Sequence, residues 1–266
     1  MFCLSNIIIS TALIFLSFFY LYDYSTDYEY SVYKDNDYAI SSPEDYTYKE
    51  IGLKMKEDYE KFKNMNNDVA AVIDIPNVCY QPVVFTGDQS YLRKGLDGKW
   101  SLPGTLFLGA YTDGNFNDNA IIYGHHMHDG TMFASLKLYN EETFFKSNEP
   151  IKVYDGKKLR FYKPYASLIV TDGKEKVHYK GREGAERDKV YSDIYRRSKV
   201  KMEDGLAPDY SKDMLFLQTC EYVYNGARHL VGSYLVKEVE IWKKTLKWLW
   251  ICIIIMNLAE RFFVLI

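Results

Sequence analysis

Hydrophobic and polar positions repeat with two different periods along the chain, and the period changes near residue 69. Between residues 43 and 65 the apolar side chains recur at helical spacing, after an N-cap serine and a first-turn proline at Ser42-Pro43. From residue 69 onward, short apolar runs alternate with Pro, Asn and Gly, which is typical of strands and turns. The pattern predicts an amphipathic helix followed by a β-rich domain.

Eight segments of the β-rich region have the length and composition of strands. They are residues 70–76, 79–84, 105–108, 120–123, 151–154, 159–168, 215–219 and 229–239. Between the sixth and seventh of these, residues 187–198 carry apolar side chains at helical spacing. The succession predicts a β-barrel or β-sandwich with a few inserted helices.

Both ends of the chain are apolar. Residues 2–22 are uncharged and long enough to cross a bilayer as a helix, and no small-residue cleavage site follows, which favours a retained anchor with the bulk of the chain outside. Residues 23–42, rich in Tyr and Asp, are expected to form a stalk. For residues 241–266, whose uncharged run at 248–259 is short for a span, a second span, an interfacial helix and a packed terminal helix all stay open.

Composition narrows the classes of function. The net charge of −3 over 266 residues gives no broad basic surface, so nucleic acid is not an expected partner. The 25 tyrosines suit a β-rich domain. Cys3, Cys79, Cys220 and Cys252 are too scattered for a disulfide framework. A Cys79–Cys220 bridge is the less favoured interpretation, because Cys79 within a strand is more simply a buried apolar side chain.

Three residues that can carry chemistry each lie at the end of a different predicted strand. Cys220 ends the apolar run 214–219, His125 follows the run 121–124, and Arg228 opens the last strand. Nearby positive charge lowers the pKa of a thiol, and the thiolate is the reactive form. An imidazole can protonate a leaving amine, and a guanidinium can hold a carbonyl oxygen as negative charge develops on it. The three residues predict an enzyme with an activated thiolate.

The segments around these residues resemble motifs of the class B sortases. Residues 119–133 resemble the family's His-bearing segment, Phe-Leu-Gln-Thr-Cys at 216–220 is similar to its Thr-Leu-x-Thr-Cys signature, and Asn-Gly-Ala-Arg at 225–228 resembles its Arg-bearing segment. Shorter matches lie at residues 75–77, 82–84 and 104–108, and the resemblance covers about residues 43–240. Phe replaces the first Thr of the signature, Gln218 stands where class B members commonly have Ser, and the apolar C-terminal tail is unusual for the class.

The resemblance implies a fold and a reaction. The fold would be a closed β-barrel of about eight strands, with an N-terminal helix and a helix inserted in a barrel loop, over residues 43–240. Cys220 would be the nucleophile, His125 the acid and base, and Arg228 the cation that holds the oxyanion or positions the substrate. The enzyme would cleave a sorting-signal peptide after Thr and pass the thioacyl group to an amine of a peptidoglycan peptide, with no metal or other cofactor. It would work outside the cell membrane of a Gram-positive bacterium, held by one N-terminal anchor.

Six further residues are candidates for contact with the substrate. Leu92 lies in a segment that resembles a substrate-groove segment of the family, and three candidates flank the nucleophile: Gln218, Thr219 and Glu221. Ile194 and Tyr195 lie on the predicted inserted helix, where packing into the core is an equal interpretation.

Other interpretations of the same residues stay open. The chain could be a pilin-polymerising sortase, for which the apolar tail speaks, a barrel that only binds peptides, or a hydrolytic cysteine protease. His126 and His128 compete with His125, although His126 would face the opposite way on a strand exit. The three histidines could also ligate a metal, but no carboxylate or Cys spacing completes a zinc pattern. Arg228 could be an ordinary ion-pair residue.

Overall fold

The computed structural model describes residues 45–147, 149–171, 184–203, 209–220 and 226–241. Its helices are α1 (Asp45–Met65), α2 (Glu142–Ser147) and α3 (Ala185–Arg197), with 3-10 helices at Ser90–Arg93 and Ala134–Asn140. Its strands are β1 (Val69–Ile75), β2 (Cys79–Val84), β3 (Leu106–Leu108), β4 (Asn119–Gly124), β5 (Ile151–Tyr154), β6 (Lys158–Thr171), β7 (Val200–Lys201), β8 (Met214–Cys220) and β9 (Ala227–Glu240).

Eight of the strands close into a barrel. Their order is β5-β1-β2-β3-β4-β8-β9-β6, and β6 pairs back with β5, while β7 adds a ninth strand at the other side of β6. The pairs β2–β3 and β4–β8 are parallel. The structure thus confirms the mainly β fold, the closed barrel, the N-terminal helix and the helix inserted between barrel strands. All eight predicted strands are present, each with its ends within three residues of the prediction.

Helix α1 packs against the barrel through its apolar stripe. Tyr48 contacts Phe161 of β6 edge to face at 5.0 Å, and Tyr59 contacts Tyr154 of β5 in the same way at 5.6 Å. The turn between β5 and β6 passes so close that a Cβ on Gly156 would lie 2.8 Å from the Tyr59 ring, and this glycine has φ +88°. Aromatic pairs of this geometry add to the free energy gained from area burial, so the stripe that predicted the helix is also what holds it.

Phe216 of β8 explains one departure from the family signature. Its side chain is completely buried and lies 5.4 Å from the ring of Tyr191 on helix α3. Tyr191 and Ile194 of α3 belong to the same hydrophobic cluster as the barrel strands. An aromatic side chain at this position therefore extends the core to the inserted helix.

The termini fall outside the described residues. The predicted anchor at 1–22, the predicted stalk at 23–42 and nearly all of the C-terminal segment 241–266 lie there. Within the part of the chain that the structure describes, no helix combines the length and the apolar character needed to span a membrane.

A buried guanidinium joins three parts of the barrel. Arg160 on β6 is 2% exposed. It donates to Asp155 of the β5–β6 turn, to Glu238 of β9 at 2.8 Å and to Asn117 of the loop before β4 at 3.0 Å. Taking a guanidinium out of water is costly, so these acceptors are needed to keep it buried.

Removing one of these acceptors should destabilise the fold. We expect Glu238→Ala to lower the free energy of unfolding by about 3 kcal/mol, because a buried charge loses its paired partner. The measurement is urea denaturation followed by circular dichroism. The matched control is Glu57→Ala, which removes the partner of Lys61 in an exposed pair and should leave the midpoint unchanged. Equal shifts in the two variants would contradict this view of the cluster.

Candidate active site

Strand topology brings the three predicted catalytic residues to one edge of the barrel. Strands β4 and β8 run parallel and stay in register to their last pair, Gly124 with Thr219. His125 and Cys220 therefore leave the sheet at the same edge. Strand β9 is antiparallel to β8, and its residue Arg228 pairs directly with Cys220. The prediction that three strand ends converge is confirmed at the level of the backbone.

The ring of His125 is held by a main-chain carbonyl. Its Nε2 atom lies 2.8 Å from the carbonyl oxygen of Leu92, in the 3-10 helix before β3. A carbonyl oxygen only accepts hydrogen bonds, so Nε2 carries the hydrogen. This bond leaves Nδ1 as the atom of His125 that can take up and release a proton.

The Leu92 carbonyl is itself fixed by buried neighbours. The hydroxyl of Tyr91, whose side chain is buried, donates to Asp68 at 2.7 Å and accepts from the side chain of Asn66 at 2.6 Å. On the other side, Gly104 has φ +63°, and a Cβ there would lie 2.5 Å from the oxygen of Tyr91 and 2.6 Å from that of Leu92. The carbonyl that orients His125 thus lies on a backbone segment clamped from two directions.

The loop after β4 is also tightly constrained. The backbone N–H of Phe133 donates to the carbonyl of His125 at 2.9 Å, and His126 forms an isolated β-bridge with Met132. A Cβ on Gly124 would lie 2.4 Å from a leucine methyl of β3. These contacts leave His125 little backbone freedom, and they explain the glycine before it.

The three histidines of this loop point to different surroundings. His125 faces Leu92, whereas His126 lies close enough to the buried His229 to help lower the pKa of that residue. This is the opposite orientation expected for neighbours at a strand exit. His128 is exposed. Among the described residues, no three His, Cys, Asp or Glu side chains are placed to hold a metal ion.

Arg228 lies beside the nucleophile position on β9. Its side chain is half-buried, and its Nη1 atom donates to the carbonyl of Ala227 at 3.1 Å. A guanidinium keeps its charge at all physiological pH values. The register therefore places a permanent positive charge on the residue paired with Cys220.

The other candidate residues differ in their access to this edge. Leu92 is 39% exposed, and Gln218 is half-buried. The side chain of Thr219 is 3% exposed, so we no longer expect it to contact a substrate. Ile194 is 1% exposed and packs in the core, which corrects its prediction as a groove residue.

Two candidates need separate mention. Tyr195 is half-buried and uses its hydroxyl to donate to the carbonyl of Met202 at 2.8 Å, which leaves part of its ring at the surface. Glu221 lies outside the described residues, so its predicted contact stays a prediction.

Cys79 does not compete with Cys220 as a nucleophile. It is a free thiol on β2. Burial, with the nearby charge of Asp74, raises the pKa of Cys79 to about 12. The thiol is therefore protonated and unreactive at neutral pH.

Sequence reasoning missed a buried histidine next to Arg228. His229 is completely buried, and its Nε2 atom lies 2.8 Å from the hydroxyl of Ser167 on β6. That hydroxyl donates to the side-chain oxygen of Asn140 at 3.0 Å. Burial lowers the pKa of His229 to about 4, and the neighbouring His126 contributes. No signal in the sequence sets this histidine apart, because it stands in an apolar strand pattern.

Comparison with known proteins links this geometry to one family. No family model matches the chain. It is 24% identical over 172 residues to sortase B of Staphylococcus aureus, which covers 63% of the chain and 69% of that relative. The structure of Clostridium perfringens sortase B has 25% identity and a TM-score of 0.60, covering 66% of this chain and 98% of that one. A Staphylococcus aureus sortase B–substrate complex has the same fold, at 18% identity and a TM-score of 0.62, covering 72% and 94%.

The clamp around Leu92 can be tested by adding one methyl group. We expect Gly104→Ala to reduce turnover about tenfold or more, because the new Cβ displaces the Leu92 carbonyl and a small misplacement of a catalytic group is costly. The matched control is Gly98→Ala. It carries a similar positive φ of +80°, but the nearest atom to its new Cβ is the end of a lysine side chain at 3.8 Å. Steady-state kinetics and a thermal melt of both variants decide the matter, and equal losses of turnover would count against the clamp.

The buried histidine should make stability depend on pH. The folded-state pKa of His229 is about 4, against 6.5 for an unperturbed histidine. Between these values the unfolded chain binds a proton that the folded chain does not, so stability falls as the pH drops from 6.5 towards 4. We expect the loss to approach roughly 3 kcal/mol below pH 4. Urea unfolding between pH 7 and pH 4 should show a steeper decline for the wild type than for His229→Gln, and parallel curves would rule the shift out.

Proposed function

Because this chain belongs to the class B sortases, and so is a cysteine transpeptidase, we propose that it attaches surface proteins to the cell wall. In this proposal it cleaves a C-terminal sorting signal after Thr. The acyl fragment is then transferred from Cys220 to an amine of a peptidoglycan peptide. The observation that carries the proposal is the direct pairing of Cys220 with Arg228 at the edge where His125 leaves the barrel.

The proposed first half of the reaction forms a thioester. The Cys220 thiolate attacks the carbonyl carbon of the substrate Thr, and the carbonyl π electrons move onto oxygen beside the guanidinium of Arg228. The C–N bond then breaks, and the leaving amine takes a proton from His125. Since Nε2 is engaged with the Leu92 carbonyl, Nδ1 is the atom that gives this proton.

The proposed second half reverses the roles. The acceptor amine attacks the thioester carbonyl and gives a proton to Nδ1 of His125, after which the C–S bond breaks and the thiolate is restored. The products are a new amide and the free enzyme, so charge and protons balance over the cycle. Arg228 stabilises both tetrahedral intermediates in the same place.

Four side chains are proposed to contact the peptide. Leu92 is the most exposed of the candidates on the described chain, Gln218 lies two residues before the nucleophile, and part of Tyr195 is at the surface. Glu221 is carried as a sequence-based candidate. The Staphylococcus aureus sortase B structure with a bound substrate supports a peptide as the ligand class.

The proposed location is the outer face of the cell membrane. Residues 1–22 would be the anchor and residues 23–42 the stalk, so that the barrel meets both a membrane-tethered substrate and the cell wall. The support is the uncharged length of residues 2–22.

A second candidate function is the polymerisation of pilins. The uncharged run at 248–259 speaks for it, since it offers a second apolar terminus. In that case the acceptor amine belongs to another protein subunit rather than to a cell-wall peptide.

The test is a transpeptidation assay with peptide libraries. The purified enzyme is incubated with Asn-Pro-x-Thr-x-type and related peptides, with and without glycine, diaminopimelate or a lysine-bearing acceptor peptide, and products are identified by mass spectrometry. We expect cleavage after Thr and an amine-joined product. Cys220→Ala should lose at least about 10³-fold in rate, while the matched thiol control Cys79→Ala should keep its activity.

Each other outcome selects a different function. Cleavage at an unchanged rate with no amine-joined product would assign a hydrolase. Peptide binding without cleavage by the folded protein would assign a non-catalytic module. Preference for the lysine-bearing acceptor over diaminopimelate would favour pilin polymerisation.

A further inference from the structure

A cluster of buried polar side chains lies directly behind the Cys220–Arg228 pair. We name it the His229 cluster, and its members are His229, Ser167, Asn140 and Thr219. His229 follows Arg228 in β9 and pairs across the ladder with Thr219, which precedes Cys220 in β8. The side chains of His229, Ser167 and Thr219 are almost completely buried. Buried polar groups are costly unless they are hydrogen-bonded, so this placement calls for an explanation.

The hydrogen bonds of the cluster fix the tautomer of His229. The one hydroxyl hydrogen of Ser167 goes to the side-chain oxygen of Asn140 at 3.0 Å. Ser167 must therefore accept from His229, whose Nε2 atom lies 2.8 Å away and carries the hydrogen. Nδ1 is then an acceptor, and no described residue donates to it. The Thr219 hydroxyl on the paired residue likewise finds no hydrogen-bond partner in the described chain.

The cluster acts on the pair of residues that ends the ladder. The Cys220–Arg228 pair is the last in the β8–β9 register, and the Thr219–His229 pair is the one that precedes it. Strand ends fray unless neighbouring groups hold them. The bond from His229 to Ser167 ties this end of β9 to β6, and Ser167 is in turn tied to the 3-10 helix through Asn140. His126, the neighbour of His125, lies close to the same ring.

We propose that His229 is a positioning residue for thioacyl transfer, which aligns Arg228 with Cys220 through its hydrogen bond to Ser167. The inference rests on the proposed roles of Cys220 and Arg228. His229 does not touch the substrate, and it acts by keeping the end of β9 in one place. Its imidazole provides a rigid donor that reaches from β9 to β6, which an aliphatic side chain of similar size does not.

The experiment separates the hydrogen bond of His229 from its volume. His229→Leu removes the donor and keeps most of the volume, whereas His229→Gln offers an amide N–H near the position of Nε2. Ser167→Ala removes the acceptor by deleting a single oxygen, and so tests the same bond if the leucine variant folds poorly. Two readouts are taken on the full-length protein. They are kcat and KM for transpeptidation, and the rate at which iodoacetamide alkylates Cys220, which peptide mapping separates from alkylation of Cys79.

Two controls distinguish positioning from stability. Ser233→Ala deletes another buried hydroxyl on the same face of β9, four residues further from Arg228. Val153→Ala makes a cavity in β5, whose neighbours in the sheet are β1 and β6 rather than β8 or β9. Thermal melts identify the variants that lose similar stability, so that activities are compared at matched destabilisation.

We expect His229→Leu to lower kcat about tenfold or more with KM within twofold, and to slow the alkylation of Cys220 to a similar degree. His229→Gln should stay within about threefold of the wild type, and Ser167→Ala should fall between the two. Both control variants should keep wild-type kcat. The proposal is overturned if His229→Leu and Ser167→Ala keep wild-type kcat and alkylation, or if Val153→Ala loses as much as His229→Leu.

The alkylation readout keeps this inference separate from the proposed function. If the wild type shows no transpeptidation, the proposed function fails, while the reactivity of Cys220 still reports on its alignment with Arg228. Slower alkylation in His229→Leu and Ser167→Ala would then support the positioning role, and unchanged alkylation would overturn it.

Discussion

The parallel pairing of β4 with β8 is the constraint on which the site depends. The two strands lie 95 residues apart in sequence, and a slip of one residue would turn every side chain of β8 to the other face. Contacts at the entrance to the pair hold the register. The N–H of Asp118 donates to the side chain of Asp213 at 2.7 Å, and the N–H of Met214 donates to the carbonyl of Asp118 at 2.7 Å. Arg187, at the start of α3, donates to the Asp118 carboxylate at 2.6 Å. The alignment of His125 with Cys220 is thus set six residue pairs before either residue is reached.

At the exit from the same strands, main-chain groups orient the site. In many hydrolases a carboxylate holds the catalytic histidine, whereas His125 is held by the Leu92 carbonyl. A neutral carbonyl fixes the tautomer without adding a full negative charge beside the ring. In the proposed reaction, the charge that favours a protonated His125 therefore comes from the thiolate itself, and the permanent positive charge of Arg228 balances it. This division of roles makes the backbone around Leu92 as important to the histidine as any side chain.

The parts of this design differ in how far the sequence announces them. Apolar runs and turn residues predicted all eight barrel strands, because burial and turn formation are local requirements that one segment satisfies alone. The convergence of Cys220, His125 and Arg228 followed from their places at strand ends. Strand β7 was not predicted because two residues carry no periodicity. The carbonyl of Leu92 and the buried ring of His229 were missed because a carbonyl is common to every residue, and a histidine within an apolar run gives no sign of its hydrogen bonds. Whether Ile194 faces the core or a groove depends on how α3 is turned, which helical spacing alone leaves open.

Alternation along β8 relates the two departures from the family signature to each other. Positions 216, 218 and 220 share one face of the strand, and Thr219 belongs to the other face with His229. On the first face, Phe216 is fully buried against Tyr191 of α3, and Gln218 is half-buried one step nearer the end of the strand. The cover that α3 gives this face is therefore complete at position 216 and partial at position 218. A peptide approaching Cys220 along this face meets the amide of Gln218 first and the packed aromatic pair behind it. The aromatic residue closes the inner end of the path, and the longer amide, where the family commonly has Ser, reaches further towards the bound chain.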